Sequence, residues 1–319
     1  MVKLDLPHTR RTSAGRRRLS LGDWGRLILV MVLWALCYPL ITTGLTMAPP
    51  FIFATLRSFV AGTSLLLLAF VLRRPLPQGW KTWLSLLMVG LSTTSMGFTG
   101  MFLAGGLVSP GLATVLANAQ PLIAAVLAYF VLGERLRVAH RLCLALGFAG
   151  ILLIALPHFG RGNAGNTPAG IGYILIGALG VAVGNVVLKR LARSRTEGGP
   201  TQIDPLMATG WQFLLGSVPL WLAAQTLETP QPVRWSLSFV AVLLALGLLG
   251  TALAFALWFS LLRRGGLTRL NTFTFLTPVI ALVIGVLFYA ESLRLVELAG
   301  IALTLAGAAP AAGGAEKPK

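Results

Sequence analysis

Ten long apolar segments follow one another along the chain, and they restrict its possible folds more than any other feature. A hydrocarbon core about 30 Å thick is crossed by about 20 apolar helical residues, and each segment is long enough to cross it. Inside a bilayer the backbone polar groups must bond within the protein, which favours helices. The sequence therefore predicts an all-α integral membrane protein with ten transmembrane helices. The predicted spans are residues 26–46, 52–72, 83–106, 109–132, 141–157, 169–189, 205–225, 237–262, 268–289 and 296–312.

The net charge of +17 would, in a soluble chain, suggest binding to nucleic acid. However, 56% of the residues are hydrophobic and only 11% are charged, a composition that does not suit a water-soluble surface. Nearly all of the Lys and Arg residues also lie between the apolar segments or at their ends. We therefore expect a lipid bilayer, and not nucleic acid, as the partner. Cys37 and Cys143 match no metal or redox spacing and are expected to pack as small apolar side chains.

The positions of the basic residues predict how the chain enters the membrane. Nearly all of the 26 Lys and Arg residues fall on one side of the ten-span arrangement. By the positive-inside rule that side is cytoplasmic, so both termini are predicted to be cytoplasmic. Residues 1–25 then form a basic cytoplasmic tail, and residues 313–319 form a second, short one. The exceptions to the one-sided distribution are Arg57, Arg161, Arg234 and Arg294.

One apolar stretch occurs twice in the chain. Pro121–Leu136 reads PLIAAVLAYFVLGERL, and Pro278–Leu293, 157 residues later, reads PVIALVIGVLFYAESL. The register continues without a gap, so that Glu134 aligns with Glu291. Each copy contains five predicted spans, and because five is odd, the second copy must enter the membrane from the opposite side. The sequence therefore predicts an inverted repeat.

The repeat divides the chain into two five-helix halves, residues 26–157 and 169–312, joined by an extracytoplasmic linker at residues 158–168. Inverted repeats are typical of secondary transporters, in which two interchangeable halves give alternating access to a site near the midplane. A duplicated channel or a non-transporting scaffold is the alternative interpretation.

Several short motifs carry a family resemblance: the two repeated stretches, Leu33-Trp34-Ala35 in the first span and Leu56-Arg57 in the second. With these motifs the sequence resembles the drug/metabolite transporter superfamily, in its bacterial EamA-type branch of ten-span carriers. It departs from the common pattern at Tyr38-Pro39, where many members carry a small residue and an asparagine. The resemblance implies a carrier of small organic metabolites in a bacterial plasma membrane, without a cofactor. It extends to the YddG-type exporters of amino acids, aromatic ones included.

Arg57 is the one charged residue deep within a predicted span. A charge at that depth costs at least about 2.5–3.5 kcal/mol on insertion scales, so its presence indicates a role. Two interpretations stay open. Arg57 could meet an anionic group of the substrate, or it could snorkel to the outer headgroups or hold a broken helix.

Spans four and nine each place polar residues and a proline on one helical face. Proline removes a backbone donor and loosens the helix, leaving carbonyls that a neighbour or a ligand must satisfy. Interrupted helices in equivalent positions of two halves are the best sequence indication of a transporter site. The residues are Thr114, Asn118 and Pro121 in span four, and Asn271, Thr274 and Pro278 in span nine.

Other candidates for a substrate cavity are amides, which lipid cannot satisfy, and aromatic residues inside the spans. For each of them interhelical bonding or core packing is the alternative. Glu134 and Glu291 are expected to pair with arginines at helix ends rather than to carry protons. A facilitator or exchanger driven by the substrate gradient is therefore favoured. The additional candidates are Trp34, Tyr38, Gln120, Asn185, Trp211, Gln212 and Trp258.

The sequence contains no catalytic constellation and no phosphate-binding loop, so we do not expect an enzyme. The leading hypothesis is a secondary carrier that exports amino acids or similar small metabolites by alternating access. A multidrug or toxic-cation exporter is the second hypothesis, although such a protein usually needs an intramembrane acid to hold the cation. A channel or scaffold is the third.

Overall fold

The computed structural model describes residues 20–132, 138–155, 166–195, 204–229, 232–262, 274, 276–289 and 293–312, and the regular structure in these ranges is helical. The first helix begins with a capping box. The Ser20 side chain accepts the N–H of Asp23, and the Asp23 carboxylate accepts the N–H of Ser20. Because this cap satisfies free N–H groups of the first turn, the helix begins at Leu21, ahead of the predicted first span.

The elements are numbered here in chain order. In the first part of the chain they are α1 (Leu21–Ala35), α2 (Cys37–Gly44), α3 (Pro50–Val71), α4 (Trp80–Val89), the π-helix π1 (Gly90–Met96), α5 (Gly97–Ala104), α6 (Pro110–Ala117), α7 (Gln120–Leu132) and α8 (Val138–Ala155). In the second part they are α9 (Pro168–Arg195), α10 (Pro205–Leu227), α11 (Leu237–Leu244), the π-helix π2 (Ala245–Leu253), α12 (Ala254–Leu262), α13 (Leu276–Tyr289) and α14 (Leu295–Ala312).

Within the described ranges, seven helical segments are long and apolar enough to cross a membrane. The prediction of an all-α membrane protein is therefore confirmed. Two shorter apolar helices, Leu276–Tyr289 and Leu295–Gly307, overlap predicted spans nine and ten. The count of ten spans, the inversion of the repeat and the location of the termini stay predictions. The seven segments are Leu21–Gly44, Pro50–Val71, Trp80–Ala104, Pro110–Val131, Pro168–Leu188, Pro205–Leu227 and Leu237–Leu261.

Two of these segments contain a π-helical stretch at positions that the repeat makes equivalent. π1 lies between α4 and α5, and π2 lies between α11 and α12. A π-turn displaces a carbonyl from the regular ladder, and in π2 the Thr251 hydroxyl donates to the Leu246 carbonyl at 2.8 Å. In π1 the Ser95 hydroxyl donates to the Gly216 carbonyl of α10 at 2.8 Å and lies 3.4 Å from the Gly90 carbonyl. π-Helices of this kind frequently occur at functional sites.

Helices from the two parts of the chain pack together in repeat-equivalent pairs: α3 lies along α10, and α8 lies along α14. Val138 and Leu295, which begin the second pair, are 157 residues apart, the same offset as in the sequence repeat. Glycine allows the close approach of α3 and α10, because a Cβ on Gly62 would lie 3.0 Å from the Gly210 carbonyl oxygen. Small residues at such contacts are typical of membrane helices.

The fourth predicted span is broken rather than only loosened. α6 ends at Ala117, Asn118 and Ala119 form a turn, and α7 begins at Gln120. Pro121 is therefore in the first helical turn of α7, where its missing N–H costs nothing. Pro278 has the same relation to α13, which begins at Leu276. The sequence predicted prolines inside continuous helices, and the structure instead places each one just after a helix start.

Candidate substrate site

Arg57 lies on the second turn of α3, and it is only 4% exposed. Its Nε and Nη2 atoms each donate to the Thr251 hydroxyl at 3.3 Å. Its Nη2 atom also lies 3.5 Å from the Cys37 Sγ, and its Nη1 atom lies 3.3 Å from the Met101 Sδ. This side chain does not snorkel to a surface. It lies inside the protein and joins α2, α3, α5 and π2.

The surroundings of the Arg57 guanidinium are aromatic and uncharged. Its Cζ is 4.5 Å from the centre of the Phe98 ring and 5.8 Å from that of Phe102, within the range of cation–π attraction. Among the described residues it forms no ion pair with a carboxylate. A buried cation without a counter-ion is costly in a low-dielectric interior.

Thr251 is the partner of Arg57 from the second part of the chain. Its single hydroxyl proton goes to the Leu246 carbonyl, which leaves its oxygen lone pairs free to accept from the guanidinium. The repeat-equivalent residue is Thr94 in π1, and its hydroxyl is buried without a hydrogen-bond partner in the described ranges. Leu214 occupies the position equivalent to Arg57. The guanidinium is therefore present in one half and replaced by an apolar side chain in the other.

A chain of aromatic rings, here called the aromatic cluster, extends from the guanidinium to α1 and α12. Phe98 contacts Phe213 with ring centres 5.8 Å apart, and Phe213 contacts Phe255 at 5.9 Å. Trp34 then contacts Phe255 at 5.9 Å and Trp258 at 5.4 Å. Of the residues that the sequence singled out, the structure thus links Trp34, Trp258 and Arg57 through these rings.

Other predicted residues lie outside the aromatic cluster. Tyr38 is buried within electrostatic range of the Arg57 guanidinium, and its side chain packs in an apolar cluster with Ala104 and Leu112. Trp211 contacts Trp83 with ring centres 4.9 Å apart, and its indole N–H is buried without a hydrogen-bond partner in the described ranges. Gln212, the next residue, is buried on α10.

The remaining amide and hydroxyl candidates have mixed surroundings. The Asn118 side chain donates to the Thr114 carbonyl at 2.8 Å, so it bonds within its own segment. Gln120 is half-buried, and Asn185 is exposed on α9. The Thr274 carbonyl accepts the N–H of Thr277 at the start of α13. Asn271 and the side chain of Pro121 lie outside the residues that the structure describes, as do Glu134 and Glu291.

Glu228, at the end of α10, was not among the residues that the sequence singled out. Its carboxylate accepts the N–H of Phe51 at 2.6 Å and the N–H of Ile52 at 3.2 Å, and so caps the free N-terminus of α3. Burial raises the pKa of the Glu228 carboxyl above its ordinary value, against the opposing effect of these two hydrogen bonds. A carboxylate that caps a helix from another helix leaves no local sequence signal.

The same region contains a cavity of about 430 Å³, here called the helix-end cavity. It lies between the end of α2, the start of α3, the end of α10 and the segment before α11. Its lining includes Leu45, Met47, Pro50, Leu103, Glu228 and Arg234. Among the described residues, no three His, Cys, Asp or Glu side chains gather in a way that could hold a metal ion.

A family model described as the EamA-like transporter family matches the chain twice, over residues 25–156 and again over residues 168–311. The chain belongs to the EamA-like transporter family. This membership, within the drug/metabolite transporter superfamily, confirms the resemblance seen in the sequence. The protein is therefore a multi-pass membrane transporter.

Proteins of similar sequence support this assignment to a transporter family. A WAT1-related chloroplastic protein of Arabidopsis thaliana is 32% identical over 89% of this chain and 67% of its own. An uncharacterized transporter of Synechocystis is 31% identical over 88% and 86% of the two chains. A probable amino-acid metabolite efflux pump of Salmonella typhimurium is 28% identical over 91% and 94%.

The chain is also similar in fold to a protein of known crystal structure, with a TM-score of 0.62 and 22% sequence identity. The similarity covers 91% of this chain and 98% of the other.

Proposed function

We propose that this transporter is a secondary carrier that exports amino acids, aromatic or neutral ones, or similar small metabolites that carry a carboxylate. The observation that supports this proposal most directly is the buried Arg57 guanidinium. It has only uncharged partners in the described ranges and lies against the aromatic cluster.

An anionic group suits this site for an electrostatic reason. In a low-dielectric interior a lone guanidinium is destabilised, and a carboxylate supplies the missing counter-charge together with strong hydrogen bonds. The planar fork of arginine can bind a carboxylate through two parallel bonds. The aromatic cluster then offers an apolar surface to the rest of the solute.

The transport cycle follows from the proposed architecture of two inverted five-helix halves, residues 26–157 and 169–312. Arg57 and Cys37 belong to the first half and Thr251 belongs to the second, so a solute at the guanidinium would lie between the two halves. Rocking of one half against the other would expose the site to each side of the membrane in turn. We place the protein in a bacterial plasma membrane, with both termini cytoplasmic.

The name of the Salmonella relative supports amino-acid metabolites as the substrate class. A substrate-gradient facilitator or exchanger is the proposed energetic mode, since the sequence offers no acid deep within a span. A toxic-cation exporter is disfavoured, because the fixed positive charge of Arg57 repels a cationic solute.

Counterflow in proteoliposomes tests this proposal. Liposomes preloaded with unlabelled L-phenylalanine should take up labelled L-phenylalanine with saturable kinetics, whereas phenethylamine, which lacks the carboxylate, should neither exchange nor compete. The panel should include L-leucine and phenylacetate. An unsaturable flux with ionic current would indicate a channel, and exchange of amines alone would indicate a cation exporter; either result overturns the proposal.

A further inference from the structure

The helix-end cavity carries opposite charges that do not pair with each other. Glu228 and Arg234 both line it. Among the described residues neither takes part in an ion pair, with the other or with a third residue. Where an acid and a base share one cavity without closing on each other, the space between them fits a molecule that carries both charges.

Both charged residues are fixed in place through backbone contacts. The Glu228 carboxylate is held by the N–H groups of Phe51 and Ile52 at the start of α3, and it has no cationic side chain as a partner among the described residues. The Arg234 backbone N–H donates to the Met47 carbonyl at 2.9 Å, while its side chain is exposed. The Glu228 carboxylate and the Arg234 backbone are therefore held by the ends of α2 and α3, and binding requires little reordering of the backbone.

The size and walls of the cavity limit the ligand further. A volume of about 430 Å³ lies in the range of small-molecule sites. Leu45, Met47 and Leu103 contribute an apolar wall to it. A ligand with only a positive charge would be repelled by Arg234, and a ligand with only a negative charge would be repelled by Glu228.

This cavity is distinct from the Arg57 site. Arg57 follows Pro50 by seven residues on the same helix, which places it about 10 Å deeper along α3. Phe53 lies between Pro50 and Arg57 on α3, and its fully buried ring contacts that of Phe102 with ring centres 5.1 Å apart. Aromatic packing thus separates the two positions.

We propose that the helix-end cavity is a second binding site, for the zwitterionic backbone of a free amino acid. The ammonium group lies near Glu228, the carboxylate lies near Arg234, and the side chain lies against the apolar wall. In the predicted orientation the cavity faces the extracytoplasmic side. An amino acid can occupy this site without being transported, so the proposal does not depend on the proposed function of the Arg57 site.

Equilibrium binding of labelled L-leucine to the full chain in lipid nanodiscs tests this proposal. The measurement is made on the Arg57→Gln variant, which removes the deeper anion site. We expect this variant to retain L-leucine binding, and N-acetyl-L-leucine and L-leucinamide, each lacking one charge, to bind about tenfold more weakly or worse.

Two further substitutions, each made in the Arg57→Gln variant, test whether L-leucine binds in the helix-end cavity. Glu228→Gln and Arg234→Gln should each weaken L-leucine binding by about tenfold, whereas Arg294→Gln, an exposed arginine outside the cavity, should leave it unchanged. Arg234→Gln keeps the backbone bond to Met47, so its effect cannot come from a lost helix cap. Unchanged affinity in both cavity variants, or equal binding of the single-charge analogues, would overturn the proposal.

The results also distinguish this site from the proposed transport function. If counterflow fails while L-leucine still binds and this binding depends on Arg234, only the carrier proposal is contradicted. Normal counterflow with no residual binding in Arg57→Gln would contradict only the second site.

Discussion

Arg57 and Thr251 lie 194 residues apart in the sequence, yet the Thr251 hydroxyl accepts two N–H groups of the Arg57 guanidinium, each at 3.3 Å. This contact ties α3 to the π-helical stretch of the second part of the chain. It places the one deeply buried arginine of α3 where the two parts meet, so substitutions on either side of the contact test its role.

Thr251→Val keeps the shape of the side chain and removes the acceptor. We expect it to lower the free energy of unfolding by about 1–3 kcal/mol, because guanidinium N–H groups and the Leu246 carbonyl would be left unsatisfied. Thr94→Val is the matched control. The Thr94 hydroxyl has no partner in the described ranges, so its replacement should be neutral or stabilising. Thermal unfolding in detergent measures both, and equal losses would contradict the assigned role of Thr251.

Arg57→Lys keeps the charge and loses the planar fork. A lysine cannot reproduce the contacts to Thr251, Cys37 and Phe98 together, and it binds a carboxylate as a point charge. We expect the affinity for L-phenylalanine in counterflow to fall by about tenfold. Retained affinity and rate would show that the fork geometry plays no part in recognition.

Trp258→Ala should weaken binding of aromatic solutes more than binding of small ones. Trp258 is buried against Trp34 at the end of the aromatic cluster, and a ring contact of this kind accounts for about 0.5–1.5 kcal/mol, or a two- to tenfold change in affinity. Trp221, which is 52% exposed on α10, provides the control. Competition by L-phenylalanine and L-alanine measures the difference, which should be absent in Trp221→Ala.

Glu228 should make stability depend on pH. Its pKa in the folded protein is raised above the ordinary 4.5 by burial, so the folded state binds its proton more tightly than the unfolded state does. The stability that comes from this proton is present below the ordinary pKa and is lost as the pH rises through the raised value. Relative to Glu228→Gln, the natural protein should therefore lose stability with rising pH. Thermal unfolding of both at pH values below and well above 4.5 gives the comparison, and parallel pH profiles would contradict it.

Much of the architecture could be predicted from apolar length, because a bilayer imposes one solution on a long apolar segment. Arg57 could likewise be singled out, since a charge at depth stands out in any apolar run. The partners of Arg57 could not be singled out in this way. Thr251 resembles any hydroxyl that bonds back to its own helix, and Cys37 resembles a small core residue, until packing brings α2, α3 and π2 together.

Several predicted site residues show the same limit of prediction from sequence alone. An amide within an apolar helix indicates a need for hydrogen bonds but not the face on which the helix packs, and Asn185 is exposed. The prolines of spans four and nine indicated an irregularity, and the turn at Asn118 and Ala119 lies where the ring of Pro121 would disturb a continuous helix, but the sequence did not distinguish a loosened helix from a broken one. Glu228 acts on a helix 176 residues away, and no local pattern encodes that contact.

The central claim is that Arg57 holds the carboxylate of a transported solute. Binding of labelled L-phenylalanine to Arg234→Gln, in which the helix-end cavity is impaired, and to the same variant with Arg57→Gln added, in competition with phenylacetate and with phenethylamine, tests it most directly. Adding Arg57→Gln should remove the component of binding that phenylacetate displaces, and phenethylamine should displace nothing from that component. If the double variant keeps the phenylacetate-sensitive component, or if phenethylamine displaces it as well as phenylacetate does, Arg57 is not the anion site and the proposed recognition of a carboxylate is wrong.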